Sequence, residues 1–143
     1  PSTNSFEEYL SSLNHEIRNH IFNVNEISDD EKWSFFESCD VFAMPSKSES
    51  FGIVYLEAWL FHKPVIGCDI DAVKQVIDDN ENGLLIPFND PKKLSHAIEK
   101  LNDSNTRQKL GENGFQKLLK KYDIKKNSKN FEQICFQVLE DFL

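Results

Sequence analysis

A Rossmann-like α/β layer, a parallel sheet with helices on both faces, is the fold class that this 143-residue sequence predicts. Two observations carry it. Short compact apolar runs, "HIFNV", "DVFAM", "PVIGC" and "LLIP", alternate with longer stretches whose apolar residues recur at helical spacing, and such alternation suits strands covered on both faces. A content of 39% hydrophobic and 12% aromatic residues is enough for one real core, so one domain is expected.

Each element has its own justification. Ser5 with Glu8 reads as a capping box, and Phe6, Tyr9, Leu10, Leu13 and Ile17 follow at helical spacing, predicting a helix over about 5–18. Ile21 to Val24 reads as a short strand. Ser28 and Glu31 form a second capping box, for a helix carrying Trp33, Phe36 and Cys39. "DVFAMPS" is the next strand, stopped by Pro45 and Ser46. Gly52 stands where a loop turns into a helix, and that helix must end near His62 because Pro64 disfavours helical geometry at Lys63. "PVIGC" is a strand, Asp71 can cap a short helix through Ile77, "DNENG" is a turn ending at Gly83, and "LLIP" is another strand. Asp90 followed by Pro91 starts a helix in the favoured cap-then-proline order. Two helices close the chain, about 104–121 and 127–142, the second with Phe131, Ile134, Cys135, Val138 and Phe142 on one stripe. Gly111 and Gly114 weaken the first by ~1 kcal/mol each if they are interior to it.

Composition excludes several functions. A formal net charge of -8 leaves no broad positive field for nucleic acid or an anionic membrane surface. The three cysteines, Cys39, Cys68 and Cys135, are far apart in apolar segments, which suits reduced thiols of a cytoplasmic protein. No metal-ligand spacing appears among them or among His15, His20, His62 and His96, and no apolar run is long enough to span a bilayer. Lysines 117, 120, 121, 125, 126 and 129 read as a solvated helix face. Pro1 in place of Met suggests an excised segment of a longer chain.

One stretch carries chemistry: "SESFGIVYLEAWLFHKPVIGCD", Ser48 to Asp69. Between Ser50 and His62 it holds a single charge, Glu57, and a buried, unpartnered charge costs several kcal/mol or so. In open parallel sheets, ligands bind beyond the carboxyl ends of the strands, and the loop Ser46 to Phe51 occupies such a position. The main-chain N–H groups of Phe51, Gly52 and Ile53 would be free donors at a helix's positive end, an anion cradle, and Gly52 lets a ligand approach closely. Glu57 shares a helical face with Ile53, Leu56 and Leu60 and leans toward that same end, and Glu49 lies just before it. Carboxylates there cannot bind an anion, but they can accept hydrogen bonds from hydroxyls. A diphosphate flanked by polyols, as in a nucleotide sugar, satisfies every group. The simpler alternative is chance: among 24 acidic residues such a pair is unremarkable, Glu57 answering a buried cation and Glu49 a solvated loop residue.

The whole ordered string, with Pro45-Ser46, Glu49 and Glu57 around Phe51-Gly52, Glu57-Ala58, Pro64-Val65-Ile66 and Asn82-Gly83-Leu84-Leu85, resembles the carboxy-terminal domain of GT-B fold, family-4-type retaining glycosyltransferases, over about residues 20–120. The resemblance implies a donor-binding portion: Glu49 contacts hydroxyls of the donor sugar and supports charge near the reacting carbon, Glu57 holds the ribose hydroxyls, and Ser50, Phe51, Gly52 and Ile53 offer amides to sugar and diphosphate. It implies transfer with retained anomeric configuration from a UDP-, GDP- or ADP-sugar, without metal or cofactor, to an acceptor the sequence does not name. Departures are His62 where a glycine is usual, which forfeits a favoured left-handed helix stop, and Asn25 where another glycine is common. The family's diphosphate-binding Arg and Lys and its acceptor domain lie upstream of anything in the sequence. The chain is therefore expected to be a single partial domain, inactive alone, with an exposed sheet edge that a second copy could cover as a homo-oligomer. A non-catalytic nucleotide-binding module and a GT-B-fold sugar-nucleotide epimerase are the alternatives, and the Glu49 and Glu57 pair favours transfer. "CDID", Cys68 to Asp71, resembles a manganese-binding Asp-x-Asp, but Asp71 has the simpler work of a helix cap.

Overall fold

The computed structural model describes residues 3–24, 26–123 and 125, 128, 129, 133 and 137. It divides into two compact units, Pro1–Lys32 and Trp33–Leu143.

In the first unit, α1 spans Thr3–Ser12 and α2 spans His15–Arg18. The single helix predicted over 5–18 is thus broken. Asn14 breaks it: its backbone is extended, and its side-chain oxygen accepts the amides of Glu16 at 2.7 Å and Ile17 at 3.3 Å, the local competition that makes Asn a better cap than interior residue. Ser5 lies within α1 rather than capping it. The strand predicted at Ile21 to Val24 does not form: the stretch has no regular structure, and the ring of Phe22 is 84% exposed. Without a neighbouring strand its main chain has no ladder to join; the amide of Ile21 instead donates to Arg18 O at 3.1 Å, finishing the turn of α2. Asn25 lies outside the described residues.

Helix α3, Asp29–Ser38, starts as predicted. Ser28 N and Oγ donate to Glu31 Oε2 at 2.8 and 2.7 Å, and Glu31 N returns a bond to Ser28 Oγ at 3.3 Å, a complete capping box.

The second unit is built on three parallel strands, β1 (Phe42–Met44), β2 (Val65–Cys68) and β3 (Gly83–Ile86), in the order β1-β2-β3. Between and after them run α4 (Ile53–Leu60), α5 (Asp71–Lys74), α6 (Pro91–Lys100) and α7 (Ser104–Lys121). All of β2 is buried, and its successive residues face opposite cores. Val65 joins Phe36, Tyr55, Ala58, Trp59, Val73, Val76 and Ile77, whereas Ile66 joins Leu84, Ile86, Ala97, Leu101 and Leu110. The predicted fold class is therefore the observed one, helices covering both faces of a parallel sheet.

Two caps differ in their outcome. Asp90 accepts the Lys93 amide at 3.0 Å and Pro91 opens α6, as expected. Asp71 is not a cap: Ile70 holds that position without a side-chain bond, Asp71 is the first helical residue, and α5 ends at Lys74. Helix α7 matches its predicted span, and the terminal stripe from Phe131 to Phe142, Cys135 included, lies outside the described residues.

Candidate functional site

The loop after β1 leads into α4 at the carboxyl edge of the sheet. Gly52 is the N-cap of α4 and has φ 83°, ψ 45°, a left-handed conformation that a Cβ makes costly. Space forbids one too: a Cβ on Gly52 would lie 2.6 Å from Tyr55 Cδ2 and 2.8 Å from Cε2. Tyr55 is fully buried beneath the glycine, and its hydroxyl donates to Met44 O at 2.8 Å, tying the end of β1 to the first turn of α4. Burial first, then the negative charge of Glu49, pushes the Tyr55 phenol up to about 12.

Glu49 does more than precede the cradle. Its Oε1 accepts the main-chain amides of Ser50 at 2.8 Å and Phe51 at 3.4 Å, so two of the amides assigned to a ligand are held by the protein's own carboxylate. Those of Gly52 and Ile53 have no acceptor among the described residues. Glu49 thus ties the loop that bends at Ser50 and Phe51, Gly52 caps the helix, and Ile53 opens it.

Glu57 departs from expectation. It is half-buried, because the buried side of α4 is Tyr55, Ala58 and Trp59, while Ile53 and Leu60, which share the Glu57 face, are 63% and 50% exposed. An apolar run hid the direction of the helix: two of its aliphatic residues face outward, so the charge among them is not the buried anomaly it resembles. Helix α4 does place it one turn beyond Ile53.

His62 also corrects the sequence reading. The left-handed stop is not lost, since His62 itself adopts φ 54°. The amide of His62 donates to Trp59 O at 2.9 Å and that of Lys63 to Ala58 O at 3.1 Å, the paired bonds of a Schellman stop. Helix α7 holds the histidine there: Nδ1 lies 2.9 Å from Glu112 Oε2, and the ring packs on Phe115 with centroids 4.1 Å apart. Lys117 is not solvated either; its Nζ donates to Asp78 Oδ2 and Val76 O, both at 2.6 Å. Asp69 of the Asp-x-Asp pair is bound to Lys74 Nζ at 2.6 Å, and no group of three or more His, Cys, Asp or Glu is placed to hold a metal among the described residues. Cys68 is packing, wholly buried in β2. No helix among the described residues is long and apolar enough to cross a membrane.

The family profile described as glycosyl transferases group 1 matches residues 3–117. The chain belongs to the glycosyl transferases group 1 family. Among its relatives in the family, an uncharacterised glycosyltransferase of Methanocaldococcus jannaschii is 38% identical over 96 residues, which are 66% of this chain and 27% of that protein. The fold is that of sucrose-phosphate synthase from Thermosynechococcus elongatus, with TM-score 0.82 and 23% identity over 96% of this chain and 34% of the other. HepE of Anabaena, solved in complex with UDP-glucose, gives TM-score 0.80 at 18% identity over 94% of this chain and 36% of its own. This chain thus spans about a quarter of the curated group 1 relatives it matches, and its strands and helices are those of a GT-B glycosyltransferase domain.

Proposed function

We propose that this chain is the donor-binding portion of a retaining glycosyltransferase, which moves a sugar from a nucleotide diphosphate onto an acceptor hydroxyl. The observation that carries the reading is the left-handed Gly52 at the positive end of α4, at the carboxyl edge of a parallel sheet, with the amides of Gly52 and Ile53 lacking an acceptor among the described residues and Glu49 folded against those of Ser50 and Phe51. That an Anabaena protein of the same fold holds UDP-glucose supports it.

The chemistry follows from where charge develops. As the bond from the anomeric carbon to the diphosphate oxygen breaks, negative charge gathers on the diphosphate. Amides fixed at a helix N-terminus meet that charge without reorganisation, each charge-assisted hydrogen bond contributing on the order of 1.5–3 kcal/mol. In binding, the Ser50 and Phe51 amides pass from Glu49 to the ligand, and the freed carboxylate turns to the sugar hydroxyls, close enough to support positive character at the reacting carbon. Glu57 takes the ribose hydroxyls. The new bond to the acceptor oxygen forms on the face the diphosphate leaves, which retains the anomeric configuration, and the acceptor hydroxyl's proton passes to the departing diphosphate oxygen. The free thiols of Cys39 and Cys68 favour a reducing compartment, the cytoplasm.

Calorimetric titration with UDP-, GDP- and ADP-sugars tests this. One of the three should bind, and Glu57→Ala should weaken it by roughly tenfold, the loss of a charge-assisted hydrogen bond. Undiminished affinity removes Glu57 from the site. Turnover needs cations and acceptor contacts that the family places outside these 143 residues, so the chain by itself should transfer no sugar; measurable transfer would show that it holds a complete centre.

A further inference from the structure

Tyr122 and Phe51 are 71 residues apart in sequence order and meet in space. We propose that Tyr122, at the end of α7, is the positioning residue of the turn that carries Glu49 and the cradle amides. This inference rests on the donor-site reading and adds to it a group that touches no part of the donor.

Phe51 is 43% exposed, and the core does not fix its ring. What it meets is the ring of Tyr122: ring centroids lie 5.8 Å apart at an interplanar angle of 84°, the T-shaped arrangement that aromatic quadrupoles favour. Tyr122 is itself well held. It is the C-cap of α7, its amide donating to Leu118 O at 2.9 Å. Its hydroxyl donates to Gln75 O at 3.4 Å, the C-cap carbonyl of α5, and Lys121 Nζ reaches the same carbonyl at 3.3 Å while lying 5.5 Å from the Tyr122 ring. Further back, α7 packs in close contact with α4 and its end: a Cβ on Gly111 would lie 1.9 Å from His62 O and one on Gly114 2.2 Å from the Trp59 ring. The Tyr122 ring is therefore a fixed post.

Phe51 carries both the ring that meets this post and an amide that donates to Glu49. A change in its backbone angles that releases the ring also turns that amide, and with it the adjoining peptide of Ser50. Holding the ring thus holds the cradle.

The test compares Tyr122→Ala with Tyr122→Phe, which keeps the ring and loses only the long hydroxyl bond, reading nucleotide-sugar affinity and amide hydrogen exchange together. Tyr122→Ala should weaken binding by roughly tenfold and speed exchange at Ser50 and Phe51 while the core amides of Ile66 and Leu84 keep their protection; Tyr122→Phe should match the wild type in both. Should Tyr122→Ala not fold, Phe51→Leu removes the partner ring and carries the same expectation. Wild-type affinity and unchanged loop exchange in the alanine variant overturn the inference and leave the donor site standing. Exchange that rises equally in the core and the loop reduces Tyr122 to a general packing residue, which also overturns it. If the wild type binds no nucleotide sugar, the donor-site reading itself fails, and this inference with it.

Discussion

Gly52, Tyr55 and His62 show how unequally residues disclose their work. Gly52 was legible as the point where a loop turns into a helix, but not as a left-handed cap, since a loop glycine before a helix is ordinary. Gly52→Ala should cost about 1–2 kcal/mol in backbone strain alone, more once the Tyr55 ring is displaced, and urea unfolding would register it as a lower midpoint. Tyr55 gives a pH signature. Its phenol is raised to about 12 by burial, then by Glu49, so the stability it contributes is fully present below the unfolded value of 10.0 and is lost as pH rises through about 12. Tyr55→Phe should flatten that alkaline limb and cost about 1 kcal/mol at neutral pH through the lost bond to Met44 O; a wild-type alkaline profile in the variant would remove the assignment. His62 was misread because residue preference argues against φ 54° for a histidine, and only α7, distant in sequence, supplies Glu112 and Phe115 to hold it. Glu57 was misread for the converse reason: Ile53 and Leu60 suggest burial by their chemistry, and no rule of periodicity says which side of an almost uniformly apolar helix faces out.

At the scale of elements, strands and helices that carry their own caps or a buried ladder were readable. The capping box of α3, the Asp-Pro start of α6 and the three strands of the sheet each rest on local chemistry. The strand at Ile21 to Val24 failed because pairing is not local: an apolar run becomes a strand only where a neighbour offers a ladder. The contact between α4 and α7 was equally invisible, since Gly111 and Gly114 resemble weak points in a helix until Trp59 and His62 are seen lying on them. This reverses the usual sign of a substitution. In an exposed helix, Gly→Ala gains ~1 kcal/mol; Gly111→Ala should instead lose about 1–3 kcal/mol to overpacking, because the atom in its way is the backbone oxygen of His62, which has no rotamer to escape to. A thermal midpoint equal to or above the wild type would contradict that close approach.

At the scale of the second unit, a polar knot joins elements distant in sequence. Trp59 Nε1 donates to the main-chain O of Asn82 at 3.1 Å, Asn82 Oδ1 accepts the Asp78 amide at 2.9 Å and Asn82 Nδ2 donates to Asp78 Oδ2 at 2.7 Å, and Lys117 binds Asp78 at 2.6 Å, so α4, α7 and the turn before β3 meet in four residues. Burial raises the Asp78 carboxyl, yet the hydrogen bonds of Lys117 and Asn82 and the Lys117 charge together outweigh it and leave it below its ordinary 3.8. A depressed carboxylate contributes stability above the unfolded value and loses it as pH falls through the folded one. Acid unfolding below about pH 4 should therefore be steeper in the wild type than in Asp78→Asn, with circular dichroism as the monitor; parallel curves would take Asp78 out of the acid limb. The net charge of -8 bears on encounter as well. At the proposed site a diphosphate would approach a protein of its own sign, and two of the amides it would meet, those of Ser50 and Phe51, already hold the Glu49 carboxylate. In the proposed donor site, arrival sets a diphosphate beside a carboxylate that stays on the same loop, so negative charge gathers at the seat, and added salt should speed association by screening the approach.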